Sequence, residues 1–416
     1  MSDAPTISLI IINQDRRAVL ARLLSALRFQ RLMPSEIIVV TDLPTEVLPE
    51  TPLDVIWLKI PEKGISAARN AAIAVASGDI VAFCDDDTVP EFDWLQKLTE
   101  PLALRGVASS GGYVRGRNGV SFQSQTVFFD RYGRDWQEET QNNQTRIFPP
   151  NKDMLLKTVG TNCAFRRNTL IDIGGFDEGY MFFLDEADVN IRLSDVGMQT
   201  SIVPQAEVHH SHLASRHHSS RMVPKHLFEI GVSKAHFCQK FSNLPTIDSL
   251  VPEFVTKQST RLRRSFHYGL IDAAEYRKLI AELYDGIEKG RGRVEKLPDW
   301  PEVTRPDLSK SENKERVRHK ILTNRRNRKT AFAKAREAAD AGREVTVLMV
   351  EYTMRPLKVW FDTAGFWVHR IGLAGRDERY LKIRPARAQL RIDRELKRIE
   401  PRRRLSADET ITEIFR

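Results

Sequence analysis

Over its first 110 residues the chain alternates between apolar runs of strand length and apolar residues spaced as on a helix. Ile7–Ile12, Ile37–Val40, Val55–Leu58 and Ile80–Phe83 are the runs. Rich in β-branched residues, they read as strands buried on both faces, as in a parallel sheet. Between them, Val19, Leu20, Leu23, Leu24 and Leu27 recur at helical spacing, and Ser66–Ala76 is an alanine-rich helical stretch. Parallel strands need long crossover connections, so this order predicts a doubly wound α/β domain with a mostly parallel sheet. In such a domain ligands bind at the carboxyl ends of the strands.

The remainder is organised differently. Residues 111–160 are polar and glycine-marked, and read as loops with an irregular hairpin. A strand, a glycine turn and a helix follow over 161–215. Residues 226–296 read as a helical extension. Residues 297–344 read as a proline-punctuated linker and a charged helix over 312–341. Residues 345–416 read as a small β-rich module with a basic helical tail. A length of 416 residues suits several such units. The formal charge of +9 is uneven: residues 301–416 hold 29 Lys and Arg against 17 Asp and Glu, while the first 300 balance at −3. No apolar run approaches the ~20 residues of a membrane span. The start of the chain lacks signal-peptide features. Cys84, Cys163 and Cys238 have no metal-like or disulfide spacing, so a reducing cytoplasm is the expected setting, with Cys163 a packed thiol.

The sharpest chemical feature is Asp85-Asp86-Asp87, directly after the strand Ile80–Phe83. Adjacent carboxylates repel, and hard oxygen ligands suit Mg²⁺ or Mn²⁺. Upstream, Lys63-Gly64 enters a helix that Ser66 can cap and whose first turn favours an anion, with Arg69 projecting from it.

The segments ISLIIIN, EIIVVTD, KGISAARNAAIAVASGDIVAFCDDDT, GTNCAFRR, GGFDE, DEADVNIRL and AEVHHSHLAS run in order over roughly 7–215. This order resembles glycosyltransferase family 2, inverting nucleotide-sugar enzymes of the GT-A fold. The resemblance implies a GT-A transferase domain over 1–225. Asp85 and Asp87 match the ends of its metal-binding DxD motif, with Asp86 between them sharing donor contacts. Asp42 matches a nucleoside contact, although Thr41 departs from the usual acidic pair; Lys63 and Arg69 fall by the nucleotide. His210 aligns with the late histidine of the metal or diphosphate site, with His209 and His212 as rivals. Gly160 and Asn162 line the wall of the site, and Asp177 positions donor or acceptor hydroxyls.

Inverting transfer needs a base for the acceptor hydroxyl, apart from the metal site. By register with the family's motif, Glu186 takes that place and Asp185 is the runner-up. Asp188 either braces the helix start or joins the acceptor site. The expected function is metal-dependent transfer from a UDP-, dTDP- or GDP-linked sugar to a hydroxyl of a glycan or lipid-linked glycan, with Mn²⁺ or Mg²⁺ as cofactor. Bacterial polysaccharide assembly in the cytoplasm, peripheral at the inner membrane face, fits this expectation. Ile392, Leu396 and Ile399 share one face of the basic tail, which suits contact with anionic lipid or a packing partner. Arg325–Lys329 (RRNRK) matches a crude nucleic-acid pattern, but a solvated helical face is the preferred reading. Two competing readings are a non-catalytic binding protein that uses the basic C-terminal region and a sugar-phosphate nucleotidyltransferase.

Overall fold

The computed structural model describes residues 5–59, 64–138, 143–244, 246–300, 308, 313–376, 387–405 and 409–414. The first sheet is built from β1 (Ile7–Asn13), α1 (Arg17–Leu27), β2 (Glu36–Thr41), β3 (Val55–Lys59), α2 (Gly64–Val75) and β4 (Ile80–Asp85). Then come β5 (Thr88–Pro90), α3 (Trp94–Thr99), β6 (Val107–Arg115), β7 (Phe122–Ser124), β8 (Thr126–Phe129), β9 (Asp135–Glu138), β10 (Arg146–Phe148) and β11 (Leu155–Lys157). The domain closes with β12 (Asn162–Arg166), α4 (Arg167–Asp172), α5 (Asp185–Asp195) and β13 (Gln199–His210).

Ten strands form the main sheet, along the path β10-β13-β6-β12-β4-β1-β2-β3, with β5 on β13 and β7 on β6. The strands β4, β1, β2 and β3 run parallel, as do β6 and β13, while β12 lies antiparallel between the two groups. The fold is thus the expected α/β class. Side chains from the two faces of β1 and β2 enter two separate cores: Leu9, Ile11 and Val39 on one side, Ile10, Ile38 and Val40 on the other. That two-sided burial is why these runs are continuously apolar. The glycine-marked stretch is more ordered than expected: Gly111 and Gly112 lie within β6, and β8, β9 and β11 form a separate three-stranded sheet.

The helical extension comprises α6 (Phe228–Phe241), α7 (Val251–His267) and α8 (Ala273–Arg291). Beyond it lie β14 (Arg318–Asn324), α9 (Arg328–Asp340), β15 (Glu344–Glu351), β16 (Lys358–Asp362), β17 (Phe366–Gly372), α10 (Ala388–Arg403) and β18 (Glu409–Ile414). The charged helix expected over 312–341 therefore starts only at Arg328; its first part is a strand, because His319–Thr323 is buried between β15 and β18. The C-terminal sheet, ordered β16-β17-β15-β14-β18, is parallel except for β16, so this unit is a second small α/β module rather than a β-rich one.

α10 turns its apolar face inward. Ile392 and Ile399 are buried and Leu396 packs against the C-terminal core, which corrects the expectation of a lipid-facing stripe in favour of an internal packing partner. Among the described residues, no helix is long and apolar enough to cross a membrane.

The two α/β units share one core. Ala26, Phe29, Val89, Phe92 and Val120 of the first pack with Val347, Phe361 and Trp367 of the second. A layer of buried charge runs along the same seam. Arg31 grips Glu344 through bonds of 2.8 and 2.7 Å, and Arg403 grips Glu91 through two of 2.9 Å. Glu207 accepts from Arg115 and Arg402. His209 hydrogen-bonds Glu91 at 2.9 Å and packs on Trp367 with ring centroids 4.4 Å apart. Glu91, Glu207 and His209 converge closely enough to suggest a metal site, but their carboxylates are committed to arginines, and the cluster is an ionic lattice between domains.

Candidate active site

A cavity of about 1070 Å³ opens at the carboxyl ends of β1, β2 and β4. Its floor is the acidic triplet. The three carboxylates, adjacent in sequence, go to different partners. Asp85 accepts from Thr161 Oγ1 at 2.7 Å and keeps about a third of its side chain exposed (34%). Asp86 is fully buried, bonded to Asn13 Nδ2 at 2.5 Å and to the Arg16 guanidinium. Asp87 lies 2.9 Å from His210 Nε2 and accepts from the Leu213 backbone N–H at the same distance. Burial drives Asp86 up to about 7 despite Arg16. Burial also opposes the charge on Asp87, but the bond and charge of His210 reverse this and hold Asp87 well below the carboxylate range. His210 rises in return: burial lowers it, and Asp87 more than compensates.

Ligand atoms of Asp85, Asp87 and His210 lie within 4.8 Å of one another, two hard carboxylate oxygens and one imidazole nitrogen. This donor set fits a divalent cation such as Mn²⁺ or Mg²⁺. Of the three rival histidines, β13 separates two by simple alternation: His210 faces the acidic triplet and His209 faces the domain seam. His212 stacks on the His210 ring at 4.0 Å.

After β13 the chain folds back over the opening. The Ser211 N–H bonds the Asp87 carbonyl at 3.0 Å, and Arg216 reaches Asp42 at 2.6 Å and Asp15 at 3.0 Å. Asp42 thus lines the cavity and also accepts from the Asp15 N–H at 2.8 Å. Opposite, Met181, Phe182, Met222 and Pro224 form an apolar wall, with Phe182 stacked on His217 at 3.8 Å and 5°. Asp15, Phe183, His212 and Met222 all line this cavity with positive φ, and Leu184 adds another beside it. Non-glycine residues avoid that region, so backbone strain is concentrated around this one cavity.

Arg69 does not project freely toward a nucleotide. It is buried among Asp185, Glu186 (3.0 Å) and the rings of Phe83 and Phe176. The two carboxylates divide one proton unequally. Asp185, buried and facing the charge of Glu186, is pushed up to about 8. Glu186 also feels burial, but Arg69 and Lys157 bring it below its ordinary value. Glu186 is therefore the ionised member near neutrality. Its side chain is 16% exposed against 3% for Asp185. It stands directly behind Gly160 and Arg69, which line the cavity: a Cβ at Gly160 would come within 2.0 Å of Glu186 Oε1.

Three residues expected on the sugar or acceptor wall are elsewhere. Asn162 is buried with its amide spent: it donates to the Tyr113 and Ala206 carbonyls at 3.0 and 2.8 Å and accepts from Trp94 Nε1 at 2.7 Å. Asp177 is buried against His236 (2.9 Å), Lys240 (3.1 Å) and the backbone N–H groups of Gly179 and Lys296. Asp188 bonds Arg192 and Lys240 at 2.6 and 2.5 Å. All three tie helices and strands together behind the site, because a buried carboxylate or amide must satisfy its polar atoms locally. Lys63 lies outside the described residues. Thr161, Asn13, Arg16 and Arg216 were not anticipated. Each acts through a partner remote in sequence, which leaves no local mark in the chain.

The fold and this cleft define a class: an α/β protein whose acidic strand end lines one large cavity, with a carboxylate pair standing behind its Gly160 and Arg69 wall. Residues 8–174 match the sequence model described as Glycosyl transferase family 2, so this part of the chain is a domain of that kind. An uncharacterized glycosyltransferase of Bacillus subtilis (strain 168), YwdF, is 44% identical over 180 residues, covering 41% of this chain and 62% of that protein. The succinoglycan biosynthesis protein ExoM of Rhizobium meliloti (strain 1021) is 39% identical over 71 residues, covering 17% of this chain and 23% of its own. The chain thus spans less than two thirds of either relative. Among solved structures, S. aureus TarS 1-349 in complex with UDP-GlcNAc overlays 68% of this chain and 81% of its own at 16% identity, with a TM-score of 0.42. Overlap this loose carries nothing about ligands to this chain.

Proposed function

We propose that the cleft transfers a sugar from a nucleotide diphosphate sugar to an acceptor hydroxyl with inversion, Glu186 serving as general base. The observation that carries this reading is the placement of the carboxylate pair: Glu186, partly exposed and 3.0 Å from Arg69, and Asp185, buried, stand behind the Gly160 wall of a cavity that also holds the Asp85, Asp87 and His210 donor set. Glu186 takes the hydroxyl proton as the acceptor oxygen bonds to the anomeric carbon. The bond from that carbon to the diphosphate oxygen breaks, and the nucleoside diphosphate departs with the electron pair. Arg69 holds Glu186 in its charged form until the proton arrives. Asp85, Asp87 and His210 would hold Mn²⁺ or Mg²⁺, which supplies positive charge to the departing diphosphate. Asp42, which lines the cavity and pairs with Arg216, would contact the nucleoside. The apolar wall of Met181, Phe182, Met222 and Pro224 suits the acceptor side, a glycan or lipid-linked glycan.

The test is thermal stabilisation of the full chain by UDP, dTDP, GDP and CDP, with and without Mn²⁺. A ligand bound only by the native state stabilises it by mass action. A shift for one nucleotide that needs Mn²⁺ and disappears in Asp85→Ala/Asp87→Ala is the expected result. Absence of any shift from a folded protein would refute the donor site.

A further inference from the structure

We infer that the C-terminal module carries a second ligand site, a cleft between α9 and the faces of β15, β16 and β17 that binds a small anion bearing two or more phosphate groups. The cleft has a volume of about 1420 Å³ and shares no lining residue with the transfer site, although Arg22 at its edge reaches back to Ser211 Oγ at 2.7 Å. Its lining side chains include nine Lys or Arg against four Asp or Glu. Seven of the nine are arginine, whose planar fork suits phosphate oxygens.

This charge is badly placed for the protein alone. Arg325 and Arg326 leave the end of β14, and Arg328 and Lys329 open α9, whose first turn contains no acidic residue. The start of a helix is its positive end, so cations there are unfavourable. On the sheet, Lys358 of β16 stands directly opposite Arg370 of β17. Like charges in that position repel. Among the described residues, no carboxylate lies in ion-pair range of Arg325, Arg326, Arg328, Arg336 or Arg370. The pair Arg355–Glu351, at 3.7 Å, is the exception on the rim. Two guanidinium Nε atoms in the lining, of Arg22 and Arg370, are buried without a hydrogen-bond partner.

Two independent misfits, one on a helix and one on a sheet, therefore face the same hollow, and a multivalent anion relieves both. The hollow is concave, which suits a small molecule rather than a flat bilayer surface. A carboxylate ligand of this size carries too few charges to balance nine cations against four acids. Phosphate groups in series meet that density. Trp360, with Lys358 6.0 Å from its ring centroid, adds one aromatic face to the lining.

The test uses full-length Asp85→Ala/Asp87→Ala protein in EDTA, so that metal-dependent anion binding at the transfer site is absent. Sodium tripolyphosphate is titrated by calorimetry and by thermal melting. Saturable binding with one site per chain is expected, weakening at least tenfold in Arg325→Ala/Arg328→Ala. In Lys358→Gln the ligand-free melting temperature should rise, since the cross-strand repulsion is gone, while the stabilisation by tripolyphosphate shrinks. Equal affinity in both variants, or no binding, would overturn the site. Sedimentation with phosphatidylglycerol vesicles forms the second arm: binding there that depends on the same arginines, without a response to tripolyphosphate, would also overturn it in favour of a membrane surface.

Discussion

Arg403→Met is the most informative test of the domain seam. Arg403 is 1% exposed and gives Glu91 two bonds of 2.9 Å; its guanidinium lies 4.5 Å from the Trp367 ring centroid. Methionine keeps most of the volume but strands the Glu91 charge, 2% exposed, with His209 as its remaining partner. Removing one member of a buried pair costs about 3–5 kcal/mol. Burial pushes Glu91 up, yet Arg403 and His209 hold it well below its ordinary 4.5. A carboxylate depressed in the folded state stabilises above its unfolded pKa and loses that contribution on acidification. In Arg403→Met burial leaves Glu91 above 4.5. The deficit against wild type should therefore be full only where Glu91 is ionised in both, begin to shrink above pH 4.5 as the stranded carboxylate takes up a proton, and be smaller at pH 4 than at pH 7. Adding Glu91→Gln removes the stranded charge, so the double variant should be more stable than Arg403→Met alone. Urea unfolding followed by circular dichroism at pH 7 and pH 4 measures all three. A cost below about 1 kcal/mol for Arg403→Met, or a double variant that simply adds both losses, would refute a buried ionic lattice.

Other consequences are more local. Glu186→Gln should lower kcat by about 10²–10⁴-fold with nucleotide affinity kept, whereas Asp185→Asn, already protonated in effect, should lose far less; steady-state kinetics beside nucleotide titration separates them. Gly160→Ala places a Cβ 2.0 Å from Glu186 Oε1 and 2.2 Å from Arg69 Nη2, so overpacking of about 1–3 kcal/mol and reduced turnover are expected from melting and rate measurements. Asp177→Ala should destabilise the fold by about 3–5 kcal/mol, as for one lost member of a buried ion pair. Burial raises Asp177, but His236 and the backbone donors drive it below its ordinary 3.8. Its contribution should be complete above that value and fade on acidification, a profile that chemical denaturation across pH would reveal.

Much of the scaffold was legible because burial on both faces leaves an unbroken apolar mark, as in Ile7–Ile12 and Ile37–Val40. The acidic triplet was legible for a related reason: three charges after a buried strand need a counter-charge. What adjacency could not reveal is that Asp86 turns to Arg16, seventy residues away, while its neighbours face the cavity. Asn162 and Asp177 fell in recognisable motifs, yet position in a motif does not disclose that every polar atom is spent on the backbone or on a helix packed behind. β14 was hidden because its buried centre is short and flanked by arginines and lysines. The stripe on α10 announced that something covers it; only tertiary packing shows that the cover is the protein's own sheet.

The shared core also bears on how the molecule is made. A ribosome releases residues 1–300 well before Arg402 and Arg403, and early domains usually fold as they emerge. Here the nascent transferase domain would display Phe29, Val89 and Phe92 as a bare patch, with Glu91 lacking Arg403 and Glu207 held by Arg115 but lacking Arg402. His209 leans on that patch and His210 follows it on β13, so the Asp85, Asp87 and His210 corner borders a face that is covered only after Arg402 and Arg403 have been made. Chains stalled or clipped before that point would expose this apolar face and its unpaired buried charge, and are expected to aggregate.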